Sequence, residues 1–481
     1  MSKIELVLVP TPGMGHLLSA VELSKLIIRR ENRISVLILI LSFPFDSGLV
    51  NAYVDFQSRD PDNSGSLTFI TLPPLSNIPD CTSSTFFTTV IELHKPNVKQ
   101  VVEERVRSGS PKPAGFVIDM LCPAMMDVAE ELEVPSYILF TSGANLLNVV
   151  FHFLSLADNG VDIATEVNDP DKEVDVPGFR NRVPCKVLPL PFLEKDFLVK
   201  RGRRFRRSNG ILVNTSNELE SYAIQTLLEQ AKDNKIPPVY PVGPILELNS
   251  KSRCGTKEDE EVSIMRWLDE QPVNSVLFVC FGSMGTFDED QVKEIANGLE
   301  QSGYCFLWSL RQPPPEGKAT PSEEAFLDTL PEGFVERTSH KGKIIGWAPQ
   351  VSILAHKAVG GFVSHCGWNS TLESLWFGVP MATWPISAEQ QLNAFELVKE
   401  FGMAVEIRMD FWRDCRKNTQ SFVVTSEEIE NGVKKLMSMD EEMVEKVKKM
   451  SDKSRKTLED GGSSHHSLGR FINDLLENAG F

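Results

Sequence analysis

Residues 6–16 read LVLVPTPGMGH and residues 276–287 read VLFVCFGSMGTF. Each is an apolar run of strand length that ends in a glycine-containing turn and leads into an amphipathic stretch. A strand buried on both faces of a parallel sheet is apolar without alternation, and the turn after it releases the chain into a crossover helix. The same opening met twice therefore predicts two α/β domains, each starting its own parallel sheet. Outward from the first opening, strands are expected at Glu5–Val9, Ser35–Leu41, Leu67–Thr71, Gly115–Ile118, Ser136–Leu139 and Gly210–Val213. From the second they are expected at Ser275–Phe281, Cys305–Ser309, Lys343–Ile345, Gly360–Val363 and Val379–Thr383. Residues 247–261 are polar and charged with no apolar period, and read as an exposed linker between a domain at 1–246 and another at 262–463. Ligands of open α/β sheets collect beyond the carboxyl ends of the strands, so two facing clefts follow.

The chain has 481 residues, 41% hydrophobic and 24% charged, which suits folded domains rather than disorder or low-complexity architecture. With 49 Lys and Arg against 66 Asp and Glu, the net charge of −17 repels a polyanion, and nucleic acid is not an expected partner. That balance does not bear on a small phosphorylated ligand, which a few backbone N–H groups at a helix start can hold. The eight cysteines are scattered without a CxxC pair, as expected of reduced thiols in the cytoplasm. The run Leu6–Val9 is broken by Pro10 and Pro12 before it reaches signal-peptide length, and Val36–Leu41 falls far short of the ~20 residues that span a bilayer. A cytoplasmic protein, monomeric and without a membrane segment, is the expectation.

Several clusters could carry chemistry. Residues 360–374, GGFVSHCGWNSTLES, read as a strand, a polar turn and a helix start. His365, Asn369 and Ser370 then lie where unpaired N–H groups and the positive end of the macrodipole would hold a diphosphate. An ordinary N-cap explains the same residues equally well. Trp347 follows a strand end and offers a flat face for a base, although a lone Trp is more often core. Residues 384–391, WPISAEQQ, supply a carboxylate and amides that suit sugar hydroxyls or merely solvent. His16 stands at a helix start, where the dipole disfavours imidazolium and keeps a neutral ring. Asp119 closes a strand and serves there as a cap or as a partner for that ring. His465 and His466 form no compact ligand cluster, and no metal site is expected.

Taken together, these elements are more specific. From Trp347 to Gln390 the 44-residue segment WAPQVSILAHKAVGGFVSHCGWNSTLESLWFGVPMATWPISAEQ resembles, along its whole length, the signature of plant secondary-product glycosyltransferases. The N-terminal VPTPGMGHLLSAVELSKLI, the FVIDMLC segment holding Asp119, the stretch beginning Thr141-Ser-Gly-Ala and the FGSMG turn are similar to the same family-1 UDP-sugar-dependent enzymes. The resemblance implies a GT-B-like fold, two Rossmann-like domains facing across a cleft, with segment 464–481 returning as a helix to the first domain. It implies that UDP-glucose serves as co-substrate, with no permanently bound cofactor and no metal. By resemblance Trp347 stacks on uracil beside Ala348 and Gln350, and Glu373 accepts the ribose hydroxyls. His365, Gly367, Asn369 and Ser370 hold the diphosphate with Ser283 close by, and Trp368, Glu389 and Gln390 contact the sugar. Thr141 is also assigned to the donor site.

The same resemblance makes His16 the base that deprotonates an acceptor hydroxyl and Asp119 its partner, giving inversion and a β-glucoside. Phenolics such as flavonoids are the leading acceptors, with terpenoids, hormones and xenobiotic phenols left open, and Phe86, Phe87, Phe140, Phe192 and Met284 are candidate walls of an apolar pocket or, equally, core residues. Ser387 departs from the pattern, standing where many members carry an aromatic residue. Two other readings remain at this point. One is a binding protein that keeps the cleft without turnover. The other is a nucleotide-dependent oxidoreductase, weakened because Leu18 stands where a third glycine is needed in GxGxxG. The sequons at Asn214 and Asn369 read as chance matches, since a glycan on Asn369 would block the phosphate site.

Overall fold

The computed structural model describes residues 4–43, 48–60, 63, 65–79, 83–189, 197–249, 258–283, 285–311, 328–414 and 419–480. The first domain holds strands β1 (Ile4–Val9), β2 (Ile34–Ile40), β3 (Leu67–Thr71), β4 (Pro113–Asp119) and β5 (Ser136–Phe140). A two-residue ribbon, β6 (Glu173–Val174) with β7 (Val183–Pro184), follows, then β8 (Gly210–Val213) and β9 (Val239–Pro241). The second domain holds β10 (Val276–Cys280), β11 (Cys305–Ser309), β12 (Gly342–Ile345), β13 (Val359–Ser364), β14 (Met381–Thr383) and β15 (Ala404–Glu406).

The first sheet runs β3-β2-β1-β4-β5-β8-β9 and the second β12-β11-β10-β13-β14-β15, all strands of both parallel. In each sheet the opening strand sits in the middle. Val7 of β1 pairs with Leu37 on one side and Phe116 on the other, and Phe278 of β10 lies between Leu307 and Phe362. The strand order reverses at these points, so the helices leaving either side diverge and open a crevice at the strand ends. The expected strands are present with ends shifted by one or two residues. The edge strands β9 and β15 were not anticipated, because VYP and AVE are too short to stand out from the loops around them.

Helices cover both sheets. The helix Met14–Arg30 buries Leu17, Val21, Ser24 and Ile27 at helical spacing and places Arg29 and Arg30 at its negative C-terminal end. The helix Ser463–Asn478 crosses to the first sheet: the Phe471 ring meets Tyr137 edge-on at 5.1 Å and Tyr240 at 5.6 Å, and Asn478 Nδ2 donates to the Tyr137 hydroxyl at 2.9 Å. Each large apolar side chain sealed this way contributes about 1.5–3 kcal/mol relative to exposure. At the expected linker, Glu247 is buried rather than solvated, accepting from the Asn249 N–H at 2.8 Å and from Gln57 Nε2 at 3.4 Å. The helix Glu258–Asp269 then begins the second domain.

Polar bonds tie the domains directly. Trp368 Nε1 donates to the Asn214 carbonyl at 2.7 Å, and Asn369 Nδ2 to the Gly15 carbonyl at 3.0 Å. The backbone N–H groups of Arg180 and Asn181 donate to the Glu400 carboxylate at 3.0 and 2.9 Å. Asn145 Nδ2 donates to Glu396, whose carboxyl is buried against that of Glu220, itself the acceptor for the N–H groups that open the helix Ala144–Asp158. Asn214 of the first sequon is fully buried. No helix among the described residues is long and apolar enough to cross a membrane.

Candidate active site

The ends of the two central strand pairs face one cavity of about 370 Å3. On the first-domain side, β1 leads through a turn to His16, β4 ends at Asp119 and β5 delivers Thr141. His16 Nδ1 lies 2.8 Å from Asp119 Oδ2 and 3.0 Å from Thr141 Oγ1, and the side chain is 28% exposed, toward the cavity. Asp119 is almost fully buried; its Oδ1 accepts from Thr11 Oγ1 and, at 2.9 Å, from the Leu121 N–H. With both carboxylate oxygens engaged, the proton of a neutral His16 belongs on Nδ1, and the Nε2 lone pair is free.

The expected effect of the helix start on His16 is overridden. Burial disfavours the imidazolium, but the Asp119 charge and hydrogen bond outweigh it, with a smaller push from Glu389 across the cleft, and its pKa rises above the ordinary imidazole value. A full negative charge at hydrogen-bond distance exceeds the fractional charge of a helix terminus.

On the second-domain side, β13 ends at Ser364 and the helix Trp368–Phe377 starts four residues on, with Gly367, Trp368, Asn369 and Ser370 lining the cavity. His365 lies flat between two glycines. A Cβ on Gly282 would stand 2.4 Å from its Nε2, and one on Gly367 2.5 Å from the same atom, so neither position tolerates a side chain without moving the ring. Burial, and then the nearby Arg311 cation, push the His365 pKa down to about 4. A neutral ring at physiological pH follows. Cys366 and Ala388, beside His365 and Glu389, adopt φ of 61° and 62°; such conformations cost of order 1–3 kcal/mol and persist where surrounding structure enforces them.

Gln350 opens the helix Gln350–Leu354 and donates from Nε2 to Ser370 Oγ at 2.9 Å and Glu373 Oε2 at 2.6 Å, fixing the Glu373 carboxylate beneath Trp347 and Ala348 on the cavity wall. Burial raises the Glu389 pKa, and the His16 charge only partly opposes it.

The structure brings most of the expected site residues into this one cavity: His16, Thr141, Ser283, Trp347, Ala348, Gln350, His365, Gly367, Trp368, Asn369, Ser370, Glu373 and Glu389 line it, with Asp119 directly behind His16. Trp368 presents only part of its indole, since its N–H is committed to Asn214 across the domain boundary. Gln390 stands off the cavity wall, its Oε1 accepting the N–H groups of Ile386 and Ser387 at 2.9 Å each, which shapes the turn that carries Glu389. The aromatic wall needs correction. Phe140 is fully buried and packs edge-on to Phe205 at 6.1 Å, a core residue. Phe86 and Phe87 gather around Phe43, at 5.7 and 5.4 Å, away from the cavity. Phe192 and Met284 lie outside the described residues.

Several lining residues escaped the sequence reading, Ser309, Arg311 and Arg201 among them. Ser309 ends β11 and donates to the Gly346 carbonyl at 2.7 Å. Arg311 follows it, its guanidinium 5.0 Å from the Trp347 ring centroid, with Nη1 donating to the Ser283 carbonyl at 2.8 Å and Nη2 to that of Gly282. Arg201 lines the first-domain side. Its signal was available: Leu198, Arg201, Gly202 and Phe205 share the buried face of an otherwise basic helix. Among the described residues no group of three or more His, Cys, Asp or Glu side chains is placed to hold a metal ion.

Two facing α/β domains, one offering a helix start and an aromatic face, the other a histidine–carboxylate pair, have the architecture of a GT-B glycosyltransferase. Residues 212–453 match the family model "UDP-glucoronosyl and UDP-glucosyl transferase". A UDP-glucose flavonoid 3-O-glucosyltransferase of Fragaria ananassa is 48% identical, over 98% of both chains, as is a UDP-glycosyltransferase of Stevia rebaudiana at the same identity and coverage. Among solved structures, a transferase from Siraitia grosvenorii in complex with UDP superposes with a TM-score of 0.87 at 44% identity, covering 98% of this chain and 100% of that one. A Medicago truncatula enzyme complexed with UDP-glucose gives 0.85 at 40% identity, with 98% of each chain covered. The chain belongs to the UDP-glycosyltransferase family.

Proposed function

We propose that the protein transfers glucose from UDP-glucose to a hydroxyl of a small, largely apolar acceptor, phenolic or flavonoid in class, with inversion to a β-glucoside. The observation that carries the reading is that His16, tied through Nδ1 to Asp119, shares one cavity with the wall formed by Trp347, His365 and the start of the helix Trp368–Phe377.

In this mechanism uracil lies on Trp347, the ribose hydroxyls meet Glu373, and the diphosphate sits against the helix start with His365, Asn369, Ser370 and Ser283. Glu389 and the turn held by Gln390 face the sugar. His16 Nε2 takes the acceptor proton as the acceptor oxygen forms its bond to the anomeric carbon. The bond from that carbon to the β-phosphate oxygen breaks on the opposite face, and UDP leaves with the electron pair. The helix N–H groups are preorganised donors for the departing diphosphate, and Asp119 stabilises the imidazolium that forms. Positioned proton transfer contributes ~10²–10⁴-fold, and holding both substrates in one cleft contributes separately.

The activities for which the relatives are named support the donor and the acceptor class. The free thiols of Cys122, Cys185, Cys280, Cys305 and Cys366 fit a reducing compartment, and we read the protein as a cytoplasmic monomer. The test is to incubate the purified chain with UDP-glucose and a panel of phenols and look for acceptors heavier by one hexose. His16→Ala should abolish transfer while UDP still binds by calorimetry. Binding of donor without product from any acceptor overturns the reading in favour of a binding protein, and robust transfer by His16→Ala removes the base.

A further inference from the structure

The helix Phe197–Arg206 reads FLVKRGRRFR, and most of its cations are spent on its outer face. Arg204 reaches Asp127 at 2.7 Å, while Arg203 and Arg206 reach Asp158 at 3.6 and 2.8 Å. Arg201 is different. It points inward beside Leu198 and Phe205, is 9% exposed, and lines the cavity next to His16.

Its guanidinium lies 3.6 Å from the centroid of the Phe197 ring, and its one hydrogen bond among the described residues runs from Nη2 to the Leu121 carbonyl at 3.5 Å, the outer limit of such a bond. No described carboxylate forms an ion pair with it. Asp119 is near enough to be felt, but its oxygens are occupied by His16, Thr11 and the Leu121 N–H. Cys122 stays a protonated thiol, raised by burial and by Asp119. Glu389, across the cavity, is pushed by burial toward its neutral form. Burial draws the pKa of Arg201 down to about 10, with Cys122 and Asp119 offsetting part of the shift, so it remains a cation at physiological pH.

A guanidinium carries five N–H donors in a planar fork, and among the described residues one is used, weakly. A buried charge that lacks a close ion-pair partner is costly, and perturbed charged groups of this kind cluster at functional sites. The surrounding wall of Leu121, Leu146, Phe197 and Leu198 is apolar, which strengthens any charge interaction formed inside.

We propose that Arg201 anchors the acceptor by receiving an anionic oxygen, carboxylate or acidic phenolate, that the acceptor carries in addition to the hydroxyl presented to His16. The inference rests on the first-domain side of the cavity being the acceptor site of the glucosyl transfer proposed above. A carboxylate engages the fork bidentately and a phenolate singly; either supplies the missing counter-charge. Fixing one end of the acceptor at Arg201 also selects which hydroxyl meets His16 Nε2, so regioselectivity and acidity of the acceptor become linked.

The test uses the full chain and two matched pairs at about pH 8, where carboxylates and acidic phenols are ionised. The first pair is para-hydroxybenzoate against its methyl ester. The second is a flavonol with a free A-ring hydroxyl against the methyl ether of that hydroxyl. For each compound kcat/KM with UDP-glucose and the equilibrium binding constant to the UDP-loaded protein are measured. In at least one pair the charged member should be preferred on the order of ten- to a hundredfold, the range supported by a hydrogen bond to a charged group, and the pair that shows it identifies the source of the anion. In Arg201→Met that ratio should collapse toward unity, and in Arg201→Lys, which keeps charge but loses the fork, it should fall partway. Arg201→Gln reads the same ratio should the methionine variant not fold. No preference in either pair, or a preference that survives removal of the guanidinium, overturns the anchor. Because binding is read alongside turnover, absence of sugar transfer with discrimination in binding intact would sink the glucosyl-transfer reading and leave the anchor standing.

Discussion

Asp119→Asn tests the reaction chemistry with a change of one atom. Oδ1 of Asp119 receives two donors, the Leu121 N–H at 2.9 Å and Thr11 Oγ1, and a backbone N–H cannot reverse its role. An asparagine is therefore pinned with its carbonyl oxygen at the Oδ1 position and its NH2 group toward His16, 2.8 Å away. That NH2 can only donate, so His16 must accept at Nδ1 and carry its proton on Nε2, the atom that has to take the acceptor proton. The base is lost without a change of volume, at an expected cost of ~10²–10⁴-fold in kcat, or roughly 3–5 kcal/mol of barrier at about 1.36 kcal/mol per factor of ten. A second signature follows from charge. With Asp119 neutralised, only the smaller push of Glu389 still opposes burial at His16, and the acid limb of the pH–rate profile should move to lower pH. Initial rates of glucoside formation across pH, with UDP affinity by calorimetry as the control, read both effects. A variant with wild-type kcat and an unmoved acid limb would refute the dyad.

Three further outcomes are expected. In the unmodified protein kcat/KM should fall as pH drops through the raised His16 value, while the contribution of the His16–Asp119 pair to stability runs the other way. That contribution is complete below about 6.5 and is lost as pH climbs through the folded value; melting curves that ignore this window while activity titrates within it would contradict the assignment. Burial and the neighbouring Glu220 push the Glu396 pKa well above the ordinary glutamate value of 4.5, so the folded state holds its proton to higher pH than the unfolded state does, and stability declines as pH rises from there through the folded value. Glu396→Gln retains an acceptor for Asn145 and removes up to about 1.4 kcal/mol per pH unit of that slope, so its melting advantage should widen toward alkaline pH; a constant offset would argue against a shared proton. Gly282→Ala forces a Cβ to within 2.4 Å of His365 Nε2 at a φ of +73°, adding about 1–2 kcal/mol of left-handed strain. It should weaken UDP binding by displacing the ring, and undiminished affinity would disprove that packing.

The two-domain plan was legible because Leu6–Val9 and Val276–Cys280 are continuous apolar runs before glycine turns, a pattern that buried parallel strands impose directly on sequence. The second-domain wall of the cavity was legible because most of its residues fall on one contiguous segment from Trp347 to Glu389. The first-domain wall, the proposed acceptor side, is assembled from distant pieces, and there composition could not separate wall from core. Phe140 belongs to a strand buried on both faces, so period alone gives no face, and its ring enters the core with Phe205. Arg201 sits in a run of cations that reads as a solvated surface until the helical register is drawn, when it falls in line with Leu198 and Phe205. His16 lines the cavity as expected of its position after β1, but the direction of its pKa was not legible, because the local dipole was visible in sequence while the carboxylate 103 residues away had to be brought there by the fold.

The last helix of the chain has a bearing on how the protein comes into being. Phe471, Ile472 and Leu475 complete a layer over Tyr137 and Tyr240, strands translated hundreds of residues earlier. While the ribosome is still making the second half, the patch of the first sheet around Tyr137 and Tyr240 lacks this cover and stays apolar, open to chaperones or to aggregation. Deletions or fusions that unseat this helix should therefore reduce yield through the N-terminal half, even though the lesion lies at the opposite end of the polypeptide.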